Sequence, residues 1–295
     1  MEIDRNNYLK EWMPDKIYKY KSFDKASTGC GHVECRMANP EKPIYRRILE
    51  DNQIYFSSAK NFNDPFDCTL VPRYDLGTRE QKKSMLVKYG RINFPDKSDL
   101  ELDAIAEAKL NSGELDDQLE IRSKREYWVE KTYNDIGIFS ATTCKKNPLM
   151  WAHYAASHSG FCVEYDSLKL QLVLEQLYIN KRLVCNHHKI KYVSLAPHIN
   201  PYLNPESPKI VLDMLLHKHI LWSYEEEIRY LLLGHPGFVL QCPDNVISTV
   251  YLGRNISEEN EGEVIRLIQK KSVRPDLFKA KLQPNSFEIE FDQIL

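Results

Sequence analysis

The sequence lacks the long apolar segments that would tie it to a membrane or mark it for secretion. No run approaches the roughly 18–20 apolar residues that a membrane-spanning helix needs. The first residues, MEIDRNNYLKEWMPDK, contain no apolar stretch typical of a signal peptide. We therefore expect a cytoplasmic protein that does not span a membrane.

The chain also has little net charge and few cysteines. Its 40 Lys and Arg residues nearly balance 42 Asp and Glu residues, which gives a formal charge of −2. This balance does not provide the positive surface that is common in nucleic-acid-binding proteins. The seven cysteines are scattered and odd in number, which is typical of free thiols in a reducing compartment and not of a disulfide framework.

Common cofactor motifs are missing as well. The sequence contains no G-x-x-x-x-G-K-[ST], G-x-G-x-x-G, H-E-x-x-H or G-x-S-x-G pattern, which excludes the simple P-loop, Rossmann, zincin and α/β-hydrolase interpretations. Two close groups of Cys and His residues could together bind a structural zinc ion if the loops that carry them met. The alternative, which we favour, is that these segments are simply two polar loops. The residues of the two groups are Cys30, His32, Cys35, Cys185, His187 and His188.

The pattern of apolar residues predicts strands and helices in irregular alternation, without a regular βαβ period. Strands are expected at 16–20, 54–58, 136–142, 160–166, 188–195, 226–234, 246–253, 278–283 and 287–292, and helices at 43–53, 148–157, 167–180, about 206–221 and 257–271. The charged region 78–130 predicts two or three surface helices. We therefore expect one α+β domain over residues 1–295, with a mixed, mainly antiparallel sheet, flanking helices and a helical insertion at 78–130.

Residues 147–166 combine aromatic and imidazole side chains around a short predicted helix. Met150, Trp151 and Tyr154 have the spacing of a buried helical face. The same aromatics could instead form a platform for a planar ring. His153 and His158 lie outside that stripe, so we interpret them as hydrogen-bonding groups of a pocket.

A second segment places three charged residues at intervals of two. If Glu225, Glu227 and Arg229 lie on one strand, all three project from the same face. Such a group could hold a carboxylate that stabilises a cationic transition state. An edge strand with surface ion pairs is the alternative. On the functional interpretation, Glu227→Gln is expected to abolish activity with little effect on folding, because a surface position is assumed.

Four segments together resemble the prokaryotic domain-of-unknown-function family 2971. In chain order they are Tyr18-Lys19-Tyr20, IYFSSAKNFNDPFDC at 54–68, MWAHYAASHSGFCVEYD at 150–166, and Lys218-x-x-x-Trp222-x-x-Glu225-x-Glu227-x-Arg229. The resemblance runs from about residue 16 to about residue 270 and does not depend on the charged region 78–130.

The order of these segments is also similar to that of ADP-ribosyltransferase-like enzymes. This similarity implies NAD or another nucleotide as substrate, a protein or nucleic acid as target, and a role in phage defence or a toxin system. It implies that Glu227 engages the ribose and that Glu225 orients the acceptor. From the residue pattern, Arg229 would hold the carboxylate or bind a phosphate. The first segment lacks the His or Arg usual in those enzymes, so Lys19 would contact phosphate or ribose. The substrate-binding residues that we expect are Tyr18, Lys19, Tyr20, Ser57, Asn63, Asp64, Trp151, His153, Tyr154, His158 and Trp222.

Two other functions stay open. In a metal-dependent phosphodiesterase or nuclease, Asp64, Asp67, His153 and Glu227 would hold a divalent ion. In a non-catalytic sensing or partner-binding module, the same pocket would bind a nucleotide without turnover.

Overall fold

The computed structural model describes residues 13–23, 42–203 and 208–295. The chain divides into two compact units. Unit 1 comprises Met1–Asn63, Asp135–Ile190 and Ile220–Leu295, and unit 2 comprises Asp64–Asn134 and Lys191–His219. The assignment of the whole chain to one domain stays a prediction.

Unit 1 contains a ten-stranded, mainly antiparallel sheet, as the sequence predicts. The strands of the described chain are β1 (Lys16–Lys21), β2 (Gln53–Ser58), β3 (Ile136–Thr142), β4 (Phe161–Asp166), β5 (Cys185–Lys189), β6 (Lys191–Val193), β7 (His217–His219), β8 (Glu227–Leu233), β9 (Phe238–Gln241), β10 (Ile247–Leu252), β11 (Asp276–Leu282) and β12 (Ile289–Gln293). The order in the ten-stranded sheet is β12-β11-β10-β4-β1-β3-β2-β9, with β8 paired to β3 and to β5. Among the described strands of this sheet, only β10 and β11 pair in parallel. Strands β6 and β7 form a separate parallel pair in unit 2.

Helices occur in both units, and three of them occupy the charged region for which two or three were predicted. The helices are α1 (Ile44–Leu49), α2 (Arg79–Asn93), α3 (Asp99–Asn111), α4 (Gln118–Asp135), α5 (Pro148–Tyr154), α6 (Ser167–Lys181), α7 (Lys209–Leu215) and α8 (Glu258–Gln269). Helices α2 and α3 each begin with a capping box, formed by Thr78 with Gln81 and by Ser98 with Glu101. Each box satisfies amide groups that the first turn of a helix leaves without partners.

The two faces of the ten-stranded sheet are packed differently. On one face, sheet residues such as Ile17, Val163 and Tyr230 join the main hydrophobic core with side chains from α1, α6 and α8. On the other face, Tyr18 and Tyr20 pack in a smaller cluster with side chains from the short helix α5. The alternation of side chains along each strand separates these two environments.

The largest differences from the predicted elements lie between residues 185 and 241. The strand expected at 188–195 is two strands, β5 and β6, which belong to different sheets. The helix expected at about 206–221 is present only as α7, and β7 and a 3-10 helix, Ile220–Glu225, follow it. Strand β9 was not predicted. These short segments are decided by their pairing partners more than by local preference.

None of the helices in the described ranges combines the length and the apolar character needed to cross a membrane.

Candidate functional site

Five buried polar side chains form a row across one face of the ten-stranded sheet. Strand pairing joins Thr249 on β10 to Glu164 on β4, then to Tyr18 on β1, Thr142 on β3 and Glu227 on β8. Paired residues of neighbouring strands project to the same face, and none of the five is more than 9% exposed. We call this set the polar row. Buried polar groups are costly without partners, so their contacts determine what the row can do.

At one end of the polar row, Glu227 is held by Arg229 from the same face of β8. Arg229 Nε donates to Glu227 Oε1 at 2.7 Å, and Nη2 donates to Oε2 at 3.2 Å. The side chains are 6% and 0% exposed, so the assumption that Glu227 faces the surface is wrong. Since β8 lies between β3 and β5, the alternative of an edge strand with surface ion pairs is also wrong.

Glu225 reaches the site from a different element. It ends the 3-10 helix Ile220–Glu225, and Glu226 has a φ of 44°, which turns the chain before β8 begins. The expectation that Glu225 shares a strand face with the ion pair is therefore wrong. Glu225 is nevertheless buried. The Tyr154 hydroxyl donates to its carboxylate, and Asn63 Nδ2 donates to that hydroxyl at 3.3 Å.

The 3-10 helix and α5 together present a partly exposed group of rings. The His153 ring lies 6.0 Å from Tyr224, and Trp222 also lies 6.0 Å from Tyr224. Asn147 caps α5 by accepting from the Leu149 amide at 2.9 Å, and its side chain donates to the Tyr224 carbonyl at 3.0 Å. The cap residue thus ties the start of α5 to the 3-10 helix. His153, Tyr154, Trp222 and Tyr224 form what we call the ring cluster.

Trp151 has a structural position. Its side chain is fully buried, packs edge-on against Tyr20 at 5.1 Å and stacks on His158 at 6.3 Å. Its indole nitrogen donates to the Lys145 carbonyl at 2.9 Å. Burial lowers the pKa of His158, and the charge of Arg254 adds to this effect. The core interpretation therefore holds for Trp151, which has no open face for a ligand ring.

Lys19 lies on the sheet face opposite to the polar row. It alternates with Tyr18 and Tyr20 along β1, and its ammonium group donates to the Ser140 carbonyl and lies 5.5 Å from the centre of the Phe139 ring. The structure therefore does not bring Lys19 to the ion pair of Glu227 and Arg229. Tyr18 and Tyr20 do lie on the face that carries the pair.

Ser57 and Asp64 lie in different units. Ser57 on β2 pairs with Ile138, which precedes Thr142 by four residues on β3, so Ser57 projects to the same face as the polar row. Its hydroxyl donates to the Ser58 carbonyl at 3.0 Å. Asp64 belongs to unit 2, where its carboxylate accepts from the Phe66 amide at 2.9 Å.

Towards the other end of the polar row, next to Thr249, Glu164 accepts hydrogen bonds from Tyr251 at 2.7 Å and from Ser248 at 2.8 Å. Lys145 Nζ lies 3.5 Å from the same carboxylate. Burial opposes ionisation of Glu164, but these hydrogen bonds and the charges of Lys145 and Lys16 outweigh it and lower its pKa. Sequence reasoning missed Lys145 and Tyr251. The alternating ISTVYL pattern at 247–252 was the available signal for Tyr251.

The predicted metal ligands that lie within the described residues do not form a cluster. No group of three or more His, Cys, Asp or Glu side chains that could hold a metal ion occurs among the residues that the structure describes. The Cys30, His32 and Cys35 part of the zinc pattern lies outside those residues. His187 and His188 are consecutive on β5 and so project to opposite faces.

The ligands expected for a phosphodiesterase come from both units. Asp64 and Asp67 belong to unit 2, whereas His153 and Glu227 belong to unit 1. In unit 2, Asp67 forms a buried ion pair with Lys218 at 3.3 Å. Asp67 is therefore neutralised by a lysine in the described structure.

Comparison with known proteins tests the family resemblance. Residues 150–230 match the family described as Protein of unknown function (DUF2971). The resemblance to this family is thereby confirmed over residues 150–230, a segment that begins within α5, contains β4 and ends within β8. The DUF2971 segment also carries Tyr154, Glu225, Glu227 and Arg229. Searches of the curated proteins and of the solved structures each returned no match.

Proposed function

We propose that this protein is an NAD-using enzyme of the ADP-ribosyltransferase-like type, or a related nucleotide-processing enzyme, whose site includes Glu225, Glu227 and Arg229. One observation carries the proposal. Glu227 and Arg229 form a bidentate ion pair on an interior strand, at the end of the polar row. The Glu227 side chain is 6% exposed and the Arg229 side chain is 0% exposed.

The energetic argument starts from the cost of burying this pair. Taking both charges out of water costs several kcal/mol for each ion. Well-packed apolar residues at such positions often make a protein as stable as a buried ion pair does, or more stable. A sheet interior that needed only packing would not require Glu227 and Arg229. An oriented carboxylate in a region of low dielectric, in contrast, is suited to stabilise positive charge that develops in a transition state.

The chemistry that we propose is cleavage of the bond between nicotinamide and ribose. The bonding electrons leave with nicotinamide, and the ribose carbon becomes oxocarbenium-like, which the Glu227 carboxylate stabilises. Water or an acceptor hydroxyl then attacks that carbon and gives its proton to Glu225. Arg229 orients the Glu227 carboxylate through its two hydrogen bonds, and Tyr154 positions Glu225 through its hydroxyl.

The ring cluster supplies a surface for the planar part of the substrate. His153 is exposed, and Tyr154, Trp222 and Tyr224 are partly exposed, whereas Trp151 is enclosed by the core. Aromatic rings of this kind stack on planar groups through offset or edge contacts. We therefore assign to the ring cluster, which includes Tyr154, the platform role that the sequence suggested for Trp151 and Tyr154.

The proposal is tested by incubating the protein with NAD and following nicotinamide release by chromatography, with and without cell lysate. Lysate supplies the protein or nucleic-acid target that a transferase modifies, and mass spectrometry of the lysate detects a transferred ADP-ribose group. Release in buffer alone indicates hydrolysis, and release only with lysate indicates transfer. No release under either condition contradicts the proposal. Intact NAD retained by the protein would favour a sensing module.

A further inference from the structure

A pocket of about 340 Å³ opens near the Glu164 end of the polar row. Its wall includes Tyr251, Phe278, Phe291, Lys145 and Lys146. The volume is within the range of small-molecule sites, roughly 300–1,000 Å³. It combines aromatic rings with lysines, and none of these side chains has a role in the proposed cleavage reaction.

The aromatic wall is set by the register of three strands. Tyr251 on β10 pairs with Phe278 on β11, and Phe291 on β12 pairs with Ala280, two residues further along β11. The three rings therefore project from one face of the sheet. Tyr251 stacks on Phe278 at 5.6 Å and meets Phe291 at 4.7 Å. Phe278 and Phe291 keep part of their surface open, so a planar group can lie against them.

The charges around the pocket are not equally available to a ligand. Lys145 Nζ donates to the Tyr251 hydroxyl at 2.5 Å and is compensated by Glu164 at 3.5 Å. Lys281 and Glu290 also line the pocket, and Lys281 pairs with Asp292 at 2.6 Å and with Glu290 at 3.9 Å. Lys146 is exposed and forms no ion pair or hydrogen bond with any residue that the structure describes.

We propose that this pocket binds a planar aromatic ligand that carries a phosphate or carboxylate group. The ring packs on Phe278 and Phe291, and the anionic group lies at Lys146. The pocket is distinct from the ion pair of Glu227 and Arg229, because β10 and β8 are separated by β4, β1 and β3. Four strand spacings place the two positions about 19 Å apart. The inference does not depend on the proposed cleavage of NAD.

Isothermal titration calorimetry tests this site with defined probes. AMP is the probe for a nucleotide, in which a phosphate is attached to the nucleoside. The probe for an aromatic carboxylate is 1-naphthoate. Adenosine has the planar ring without the anionic group, and inorganic phosphate has the anionic group without the ring. We expect AMP or 1-naphthoate to bind, and adenosine and inorganic phosphate each to bind at least about tenfold more weakly.

Two lysine variants make the test specific. Lys146→Glu reverses the charge at the pocket and is expected to raise the dissociation constant about tenfold. Lys270→Glu makes the same change at an exposed lysine that follows α8 and should leave the dissociation constant unchanged.

A third variant tests the aromatic wall. Phe278→Leu keeps apolar packing but removes the ring, so it should also weaken binding. Circular dichroism confirms that each variant is folded.

Three outcomes would overturn the assignment. The first is that neither AMP nor 1-naphthoate binds. The second is that Lys146→Glu and Lys270→Glu bind alike. The third is that Glu227→Gln weakens binding more than Lys146→Glu does, which would place the ligand at the candidate catalytic site. Binding to wild type and to Glu227→Gln with equal affinity, together with loss in Lys146→Glu, supports the separate pocket even if NAD is never cleaved.

Discussion

Glu164 and Glu227 are the two carboxylates of the polar row, and each is compensated in a different way. Glu164 is surrounded by hydroxyl donors and has lysine ammonium groups at 3.5 and 3.8 Å. Glu227 forms a bidentate ion pair with the guanidinium group of Arg229. The first arrangement spreads the compensation over several hydroxyl donors and two lysines, and the second concentrates it in one buried ion pair. We therefore expect different responses to removal of each charge.

Replacement of Glu227 should destabilise the protein. We expect Glu227→Gln to lower the free energy of unfolding by about 3 kcal/mol, because the buried Arg229 charge loses its compensating carboxylate. Urea denaturation measures this change. Glu226→Gln is the matched control, since Glu226 is exposed, and it should change the free energy by less than about 1 kcal/mol. Equal effects of the two substitutions would contradict the buried position of the pair.

Replacement of Glu164 should reveal a stability contribution that depends on pH. The pKa of Glu164 in the folded protein lies below its ordinary value of 4.5. Ionised Glu164 therefore stabilises the fold above that value, and the contribution is lost as the pH falls through the lower folded-state pKa. We expect the difference in unfolding free energy between wild type and Glu164→Gln to be largest at neutral pH and to shrink below 4.5. Urea denaturation across this range measures it. A difference that does not change with pH would contradict the assignment.

At the scale of elements, the turn after α5 has an unusual backbone. Ala156, Ser157 and His158 have φ values of 45°, 53° and 68°, a conformation that non-glycine residues adopt rarely. The turn is held by neighbouring backbone. The Asn255 amide donates to the His158 carbonyl at 2.9 Å, and the Gly160 amide donates to the Ala155 carbonyl at 2.8 Å. These contacts fix the end of α5 and thereby help to position the ring cluster.

Gly160 is the position in this turn where a larger residue should be most damaging. A Cβ atom there would lie 2.2 Å from the Lys21 carbonyl oxygen, and backbone cannot move aside as a side chain can. We expect Gly160→Ala to lower the free energy of unfolding by about 1–3 kcal/mol. Gly262→Ala is the control, because a Cβ atom at that site in α8 would have its nearest contact outside the local helix backbone at 3.9 Å, with the end of the flexible Arg266 side chain.

The control should have the opposite sign. Alanine in the interior of a helix is favoured over glycine by about 0.5–1 kcal/mol, so Gly262→Ala should raise the free energy of unfolding. Thermal or urea denaturation compares the two variants. Stabilisation by Gly160→Ala would show that the turn is not as closely packed as described.

Elements with a clear local pattern could be predicted from the sequence, and those that depend on distant partners could not. Strands β1, β3 and β4 and helices α6 and α8 follow from apolar periodicity and caps, such as Ser257 before α8. The break at Ile190 could not be predicted, because β5 and β6 belong to different sheets. The position of Glu225 was missed for a related reason. Because Glu226 has a positive φ, Glu225 lies outside the strand, and a glutamate in the sequence gives no local signal for that conformation.

At the scale of the whole molecule, each unit has its own buried ion pair. Unit 1 contains Glu227 with Arg229, and unit 2 contains Asp67 with Lys218. The sequence suggested a pair between Arg229 and either Glu225 or Glu227, but it gave no indication that Asp67 pairs with Lys218. The pairing of Asp67 with Lys218 depends on residues far apart in the chain, so only the folded structure gives it. The DUF2971 match at 150–230 includes members of both pairs.

The central claim is that the polar row ends in an NAD-cleaving site at Glu227. The most direct measurement compares nicotinamide release from NAD by wild type, Glu227→Gln and Glu226→Gln, at a temperature where circular dichroism shows all three to be folded. We predict release by wild type and by Glu226→Gln, and a loss of at least about a hundredfold in Glu227→Gln. Equal release by folded Glu227→Gln, or no release by wild type with or without lysate, would contradict the claim.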